Sequence, residues 1–200
     1  MILNLRDYLK KKRDRRDPLL RALGRPKNPL RILDATAGFI EDAFEMSRLG
    51  HSVTCLERLP SVFSIAQEAL VQASKDPDLA GIVQRLNLNL ADTRDYLSNS
   101  KESFDLVFLD PFFPKRSSKA LPKKKMQLLQ QLAQEGGDKS LVDAEEAQKD
   151  CLELLLLAKE RALIKVVLKR SLSTPVLLRP QSQIFGTQIR FDLYLPSSKI

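Results

Sequence analysis

The stretch RILDATAGFIEDAF, residues 31–44, decides how this chain folds. RILDA (31–35) is a short apolar run that stops at Asp34 and gives way at once to Thr-Ala-Gly. Consecutive apolar residues mark a strand covered on both faces, and the small residues after it mark a tight turn. Ala43, Phe44, Met46 and Leu49 then recur at helical spacing, and Gly50 stands where a C-terminal helix glycine belongs. A buried strand, a turn and a helix in that order begin a β-α-β unit.

The same rhythm continues outward. SVTCLE (52–57) reads as a second strand closed by Glu57, and Pro60 opens a helix over 60–74. RLNLNLAD (85–92) alternates apolar and polar residues, which predicts a third strand with one exposed face. FDLVFLDP (104–111) is almost wholly apolar and reads as a central strand ending in an acid. A long basic connection, 112–140, leads to a helix from about Val142 to Lys159, and ALIKVVLKR (162–170) is a further strand. Two strand-like pieces near 175–184 and 187–195 predict a closing hairpin. Strands alternating with helices predict an α/β fold: a mostly parallel central sheet, helices on both faces, and a C-terminal antiparallel hairpin. Residues 1–29 read as a basic helical arm ending at Gly24, and 30–200 as one domain.

Composition excludes several classes. Two hundred residues that are 43% hydrophobic and 29% charged match an ordinary globular chain rather than a disordered or collagenous one. The longest apolar stretches, Leu152–Ala158 and Ala162–Leu168, are too short to span a bilayer. MILNLRDYLKKKRDRR lacks an apolar core, so no secretory signal is expected. Cys55 and Cys151 form no C-x-x-C and sit in a predicted strand and helix, so both read as core residues in a reducing compartment. That also argues against the cysteine nucleophile of pyrimidine C5 methylation. The single histidine, His51, reads as a surface loop residue, and no metal site is expected.

Charge is distributed in patches. The formal net charge is +8, yet residues 1–31 alone carry +8 and residues 115–125 (KRSSKALPKKK) carry +6, leaving −6 for the remainder. Two basic patches on a mildly acidic body suggest a polyanionic partner, nucleic acid above all, over two merely solvated surfaces.

Four acids stand at the C-terminal ends of predicted strands: Asp34, Glu57, Asp92 and Asp110. Ligands of open α/β sheets bind at that edge. Glu57 follows Gly38 by nineteen residues, the position of an acid that takes the ribose hydroxyls of a nucleoside cofactor. The turn DATAGFIED (34–42) holds one glycine among Asp34, Glu41 and Asp42, so it repels a pyrophosphate and suits a cation. S-adenosylmethionine carries a sulfonium and an ammonium, and this turn favours it over a dinucleotide. Asp110-Pro111-Phe112-Phe113-Pro114 suits transfer to an exocyclic amine. The Asp110 carboxylate or the Pro111 carbonyl can accept the amine N–H, and Phe112 or Phe113 can stack on the base.

DATAGFIEDAF (34–44), LER-x-P (56–60), LAD (90–92) and above all LDPFFPKRSSKALPKKKM (109–126) resemble the ribosomal RNA small subunit methyltransferase J family, with VVLKR (166–170) and IRFDLYL (189–195) continuing the likeness. The resemblance covers roughly residues 30–196. It implies a Rossmann-like class I methyltransferase of the bacterial cytoplasm, using S-adenosylmethionine to methylate N2 of a guanine in small-subunit (16S) ribosomal RNA, free or in the small ribosomal subunit. It implies cofactor contacts from Glu41 and Asp42, Glu57 and Arg58, Asp92 and Thr93, and Asp110. Adding Asp34 and Gly38 from the acidic turn completes the expected cofactor set, with Asp110, Pro111 and Phe112 as the catalytic group. Lys115, Arg116, Lys119, Lys123, Lys124 and Lys125 are expected on RNA phosphates. One departure is Ile40-Glu41, where the family has a second glycine and then a basic residue; a β-branched residue resists positive φ, which predicts a reshaped turn. Two other readings fit the residues: an adenine-N6 amino-methyltransferase of RNA or DNA, which an Asn in place of Asp110 would favour, and a non-catalytic RNA-binding protein with the same fold.

Overall fold

Seven strands join in one sheet in the computed structural model, which describes residues 3–10, 16–111, 127–128, 131–132 and 144–197. Along the chain come α1 (Arg6–Leu9), α2 (Pro18–Leu23), β1 (Arg31–Asp34), α3 (Glu41–Arg48), β2 (Ser52–Glu57), α4 (Pro60–Ala73) and α5 (Pro77–Val83). Then follow β3 (Leu86–Leu90), α6 (Thr93–Asn99), β4 (Phe104–Leu109), α7 (Ala144–Arg161), β5 (Ala162–Ser171), β6 (Ser182–Phe185) and β7 (Ile189–Tyr194). The strand order is β3-β2-β1-β4-β5-β7-β6. The first five strands run parallel, and β7 lies antiparallel to both β5 and β6. The predicted α/β sheet with its closing hairpin is therefore the observed one.

Alternation along the central strands splits their side chains between two apolar layers. Ile32, Val53, Cys55, Leu106, Phe108 and Val167 face a core shared with α3, α4 and α5. Leu33, Leu56, Val107, Leu109, Val166 and Leu168 face a core shared with α6 and α7. A strand buried on both faces needs an apolar residue at every position, which is why RILD and FDLVFL read as runs. The chain steps outward from β1 to β3, then returns to place β4 on the other flank of β1. Direction reverses between β1 and β4, and the C-terminal ends of those strands open a crevice.

Several expectations change. The segment expected as a basic arm belongs to the body: Leu3, Leu5, Tyr8, Leu19, Ala22 and Leu23 are buried in the α3–α5 core. At its surface Arg6 pairs with Asp76 and Asp78 at the start of α5. Lys165 Nζ donates to the Ala22 and Leu23 carbonyls at the end of α2. The buried Leu3-Leu5-Tyr8 set carries this signal, but the surrounding lysines and arginines mask it. α5 and α6 are additional helices, each begun by an aspartate cap: Asp76 accepts from Asp78 N–H and Asp92 from Arg94 N–H. The first arm of the hairpin shortens to β6, because Pro175 and Pro180 cannot donate to a ladder.

His51 is a core residue rather than a surface one. It is buried, and its Nδ1 accepts the Leu30 N–H at 3.1 Å, just before β1. Burial pushes its imidazole below the usual range, which keeps the acceptor nitrogen unprotonated. Ile40 does enter the positive-φ region that a β-branched residue resists. Ile40 takes φ 54° and ψ 21°, with its side chain fully buried. Its N–H donates to Ala37 O at 2.7 Å, and its carbonyl accepts from Phe44 N–H at 2.8 Å. The apolar pocket and two hydrogen bonds offset the left-handed conformation.

Candidate functional site

The crevice at the strand ends is a cleft of about 720 Å³, its mouth included. Ala35, Thr36 and Gly38 supply one side from the turn after β1, and Glu57 and Arg58 follow from the end of β2. Asp92 and Thr93 come from the start of α6, Asp110 and Pro111 from the end of β4. Asp150 and Leu154 of α7 complete the wall.

Glu57 anchors this arrangement. One carboxylate oxygen accepts the Gly38 N–H at 2.9 Å and the other the Leu59 N–H at 2.7 Å. Gly38 has φ 51°, which turns its amide toward that carboxylate. Burial pushes the Glu57 carboxyl above its ordinary value, against the pull of the two amides and Arg58. A carboxylate has about four acceptor positions, so two amide donors leave room for a diol.

Asp92 sits in a second network. Arg94 pairs with it at 3.2 Å and also with Asp150, while Arg58 lies 3.7 Å from both acids. Burial alone would raise the Asp92 carboxyl, but the hydrogen bonds and charge of Arg94 hold it below the usual range. Thr93 turns its hydroxyl to the Ala35 carbonyl and so ties α6 to the turn after β1.

The third network surrounds Asp110. Its N–H donates to Thr36 Oγ1 at 2.7 Å, and its Oδ2 accepts from Lys169 Nζ at 2.8 Å. Lys169 also donates to Asp42 at 2.5 Å. Withdrawal from bulk water pushes the Asp110 carboxyl up, Lys169 pulls against this, and Asp42 adds to the rise. Asp34 lies beneath, almost wholly buried, its carboxyl raised by burial and by Asp42.

The expected residues thus divide. Gly38, Glu57, Arg58, Asp92, Thr93, Asp110 and Pro111 line one cleft. Asp34, Glu41 and Asp42 do not reach its wall: Asp34 points into the α3 side of the sheet, Asp42 into Lys169, and Glu41 accepts from the Tyr8 hydroxyl. Asp34 ends β1, where successive side chains point to opposite faces, and Glu41 and Asp42 belong to the first turn of α3. Phe112, Lys115, Arg116, Lys119, Lys123, Lys124 and Lys125 lie outside the described residues. Thr36, Asp150 and Lys169 are additions that the sequence reading misses. Asp150 gives a signal, an acid at helical spacing between Ala147 and Leu154 on a buried face. Lys169 gives none, since its neighbourhood depends on the register of β5 against β4.

The cleft fits a nucleoside carrying a cation. Its chemistry is an acceptor-rich set of acids with an apolar floor from Ala35, Leu56, Leu59, Ala91 and Leu154. Among known proteins, the family described as "Putative SAM-dependent methyltransferase" matches residues 4–196. Ribosomal RNA small subunit methyltransferase J of Magnetococcus marinus is 38% identical over 183 residues, covering 90% of this chain and 68% of that protein. The protein of that name from Saccharophagus degradans is 39% identical over 178 residues, covering 82% and 62%. The one from Rhodopseudomonas palustris is 36% identical over 182 residues, covering 88% and 82%. This chain therefore spans under two thirds of some of these relatives. Among solved structures, a SAM-dependent methyltransferase from Neisseria gonorrhoeae matches with a TM-score of 0.69 at 24% identity, covering 94% of this chain and 74% of that one. At that identity the likeness bears on the fold.

Proposed function

Because the chain belongs to the ribosomal RNA small subunit methyltransferase J family of SAM-dependent methyltransferases, we propose that it methylates the exocyclic N2 amine of a guanine in small-subunit ribosomal RNA. The observation that carries this reading is the convergence of Asp110-Pro111 and Glu57 on one cleft. S-adenosylmethionine, when bound, supplies an electrophilic methyl group on a sulfonium.

Gly38, Glu57, Arg58, Asp92 and Thr93 would hold the cofactor. Glu57 takes the ribose hydroxyls with the lone pairs that its two amide donors leave open. Asp110 works on the acceptor. A guanine N2 lone pair is delocalised into the ring, and an N–H hydrogen bond to the Asp110 carboxylate or the Pro111 carbonyl favours a more localised pair. The amine proton becomes acidic only as the nitrogen gains positive charge. Asp110 therefore needs no strong basicity; it orients the amine and stabilises that charge. Phe112 stacks on the base in this reading, and Lys115, Arg116, Lys119, Lys123, Lys124 and Lys125 contact phosphates flanking an unstacked nucleotide. Among the described residues no helix is long and apolar enough to cross a membrane, and we place the protein in the bacterial cytoplasm with its rRNA substrate.

Mass mapping of ribosomal RNA from a strain lacking the gene tests the reading. A single guanine should lose one methyl group and regain it when the purified protein and S-adenosylmethionine are added. An adenine that loses the methyl instead would overturn it. In the same assay Asp110→Ala should lose far more turnover than thermal stability.

A further inference from the structure

Lys169 follows the fully buried run Val166-Val167-Leu168 near the end of β5. A lysine there leaves bulk water only for a strong partner, because its ammonium is costly to bury. Its side chain is 21% exposed and has two partners, Asp42 Oδ2 at 2.5 Å and Asp110 Oδ2 at 2.8 Å. Burial alone would lower its pKa, but the two carboxylates hold it well above the ordinary value, so it stays charged. One ammonium thus joins the ends of β5 and β4 to the first turn of α3.

Asp110 is fixed at two points. Thr36 Oγ1 holds its N–H, and Lys169 holds Oδ2. Among the described residues Oδ1 accepts no hydrogen bond, and 39% of the side chain remains open. Among the described residues, four charged or titratable groups face this carboxylate: Lys169 from β5, Asp42 and Glu41 from α3, and Asp34 from β1. Three of the four are acids, so Lys169 is the cation that keeps the set from driving a proton onto Asp110.

Resting on the reading of Asp110 given above, we propose that Lys169 is a positioning residue for methyl transfer: it grips Oδ2 of Asp110 and leaves Oδ1 as the acceptor for the substrate amine. A freed Asp110 would rotate about its side-chain bonds and, crowded by Asp42 and Asp34, take up a proton from solvent. A protonated or misdirected carboxyl no longer stabilises the charge that develops on the amine nitrogen. The contribution falls on turnover, since neither cofactor nor RNA need touch Lys169.

Steady-state kinetics of the parent, Lys169→Met, Lys169→Arg and Asp110→Ala on small-subunit rRNA decide this, measured across the pH range in which each protein stays folded. Lys169→Met should lower kcat by about ten- to a hundredfold, as misplaced catalytic groups do. The KM for rRNA and the calorimetric affinity for S-adenosylmethionine should change by less than about threefold, because the cleft wall is intact. The acid limb of the kcat profile should move up by about one pH unit, as three acids lose their cation. Lys169→Arg keeps the charge and should restore the limb. A purely structural ion pair would lower the melting temperature without moving that limb. If Lys169→Met does not melt cooperatively, Lys169→Gln takes its place in the same comparison. An unmoved acid limb or a parent-like kcat, with Asp110→Ala inactive, overturns the role of Lys169 alone. An Asp110→Ala protein with the parent's rate overturns both readings.

Discussion

Glu57 accepts two backbone hydrogen bonds and still presents acceptor positions to the cleft. Replacing it with alanine removes a charge-assisted, two-point contact to a ribose, worth roughly 1.5–3 kcal/mol, or about a ten- to hundredfold loss of S-adenosylmethionine affinity. Isothermal calorimetry reads this directly, and an unchanged affinity would remove Glu57 from the site. Because burial raises its carboxyl, cofactor affinity in the parent should also fall on acidification, as the acceptor takes up a proton. His51 titrates with consequences for stability instead. Its folded pKa is depressed, so the unfolded chain binds the proton first. The stability it supplies is therefore complete above about pH 6.5 and is lost as the pH falls below that toward the folded value. The melting temperature of His51→Asn should show less of this acid loss than the parent's.

At the scale of elements, the turn between β1 and α3 carries an internal conflict. Ile40 sits in the left-handed region, which costs an L-residue about 1–2 kcal/mol. Its side chain is also fully buried, and emptying such a site costs about 2–5 kcal/mol. Burial wins, so Ile40→Gly should destabilise the protein by about 1–3 kcal/mol although it relieves the backbone. Urea denaturation measures the sign; a stabilised variant would mean that strain dominates. The turn needs that rigidity, because Ala37 N–H bonds to Leu56 O and Gly38 N–H to Glu57, which locks the turn onto the end of β2. α7 closes the opposite wall through Asp150, held by Arg58 and Arg94.

The whole molecule separates its charges. Acids gather at the strand ends around the cleft, while the +6 run at 115–125 follows Asp110-Pro111 directly in sequence. In the reading proposed above, a cationic cofactor and a polyanionic substrate meet opposite fields within a few residues of each other. Neutralising Lys123, Lys124 and Lys125 together should weaken RNA binding about equally across sequences. It should also flatten the salt dependence by roughly 0.7 log units for each single-strand phosphate that the protein no longer neutralises. S-adenosylmethionine affinity should stay at the parent value. Parallel salt titrations with identical slopes would show that these three lysines touch no phosphate. The N-terminal basic segment differs, because Leu3, Leu5 and Tyr8 bind it into the core and Arg6 is paired with acids.

Local chemistry by itself determined the succession of strands, the helices α3, α4 and α7, the parallel sheet, and the strand-end acids Glu57, Asp92 and Asp110. Each of those features is written in neighbouring residues: an apolar run, a turn glycine, an acid at its end. What the chain packs against is not written there. His51 reads as a loop residue because nothing beside it in sequence reveals that Leu30 N–H lies 3.1 Å away. The charged segment before β1 hides a buried Leu3-Leu5-Tyr8 set, and Ile40 is tolerated at positive φ only because a tertiary pocket receives it. Lys169 reaches Asp110 because Leu168 pairs with Leu109 across parallel strands that lie far apart in sequence. Register between distant strands is set by the packing of both sheet faces at once, and only the folded molecule supplies it.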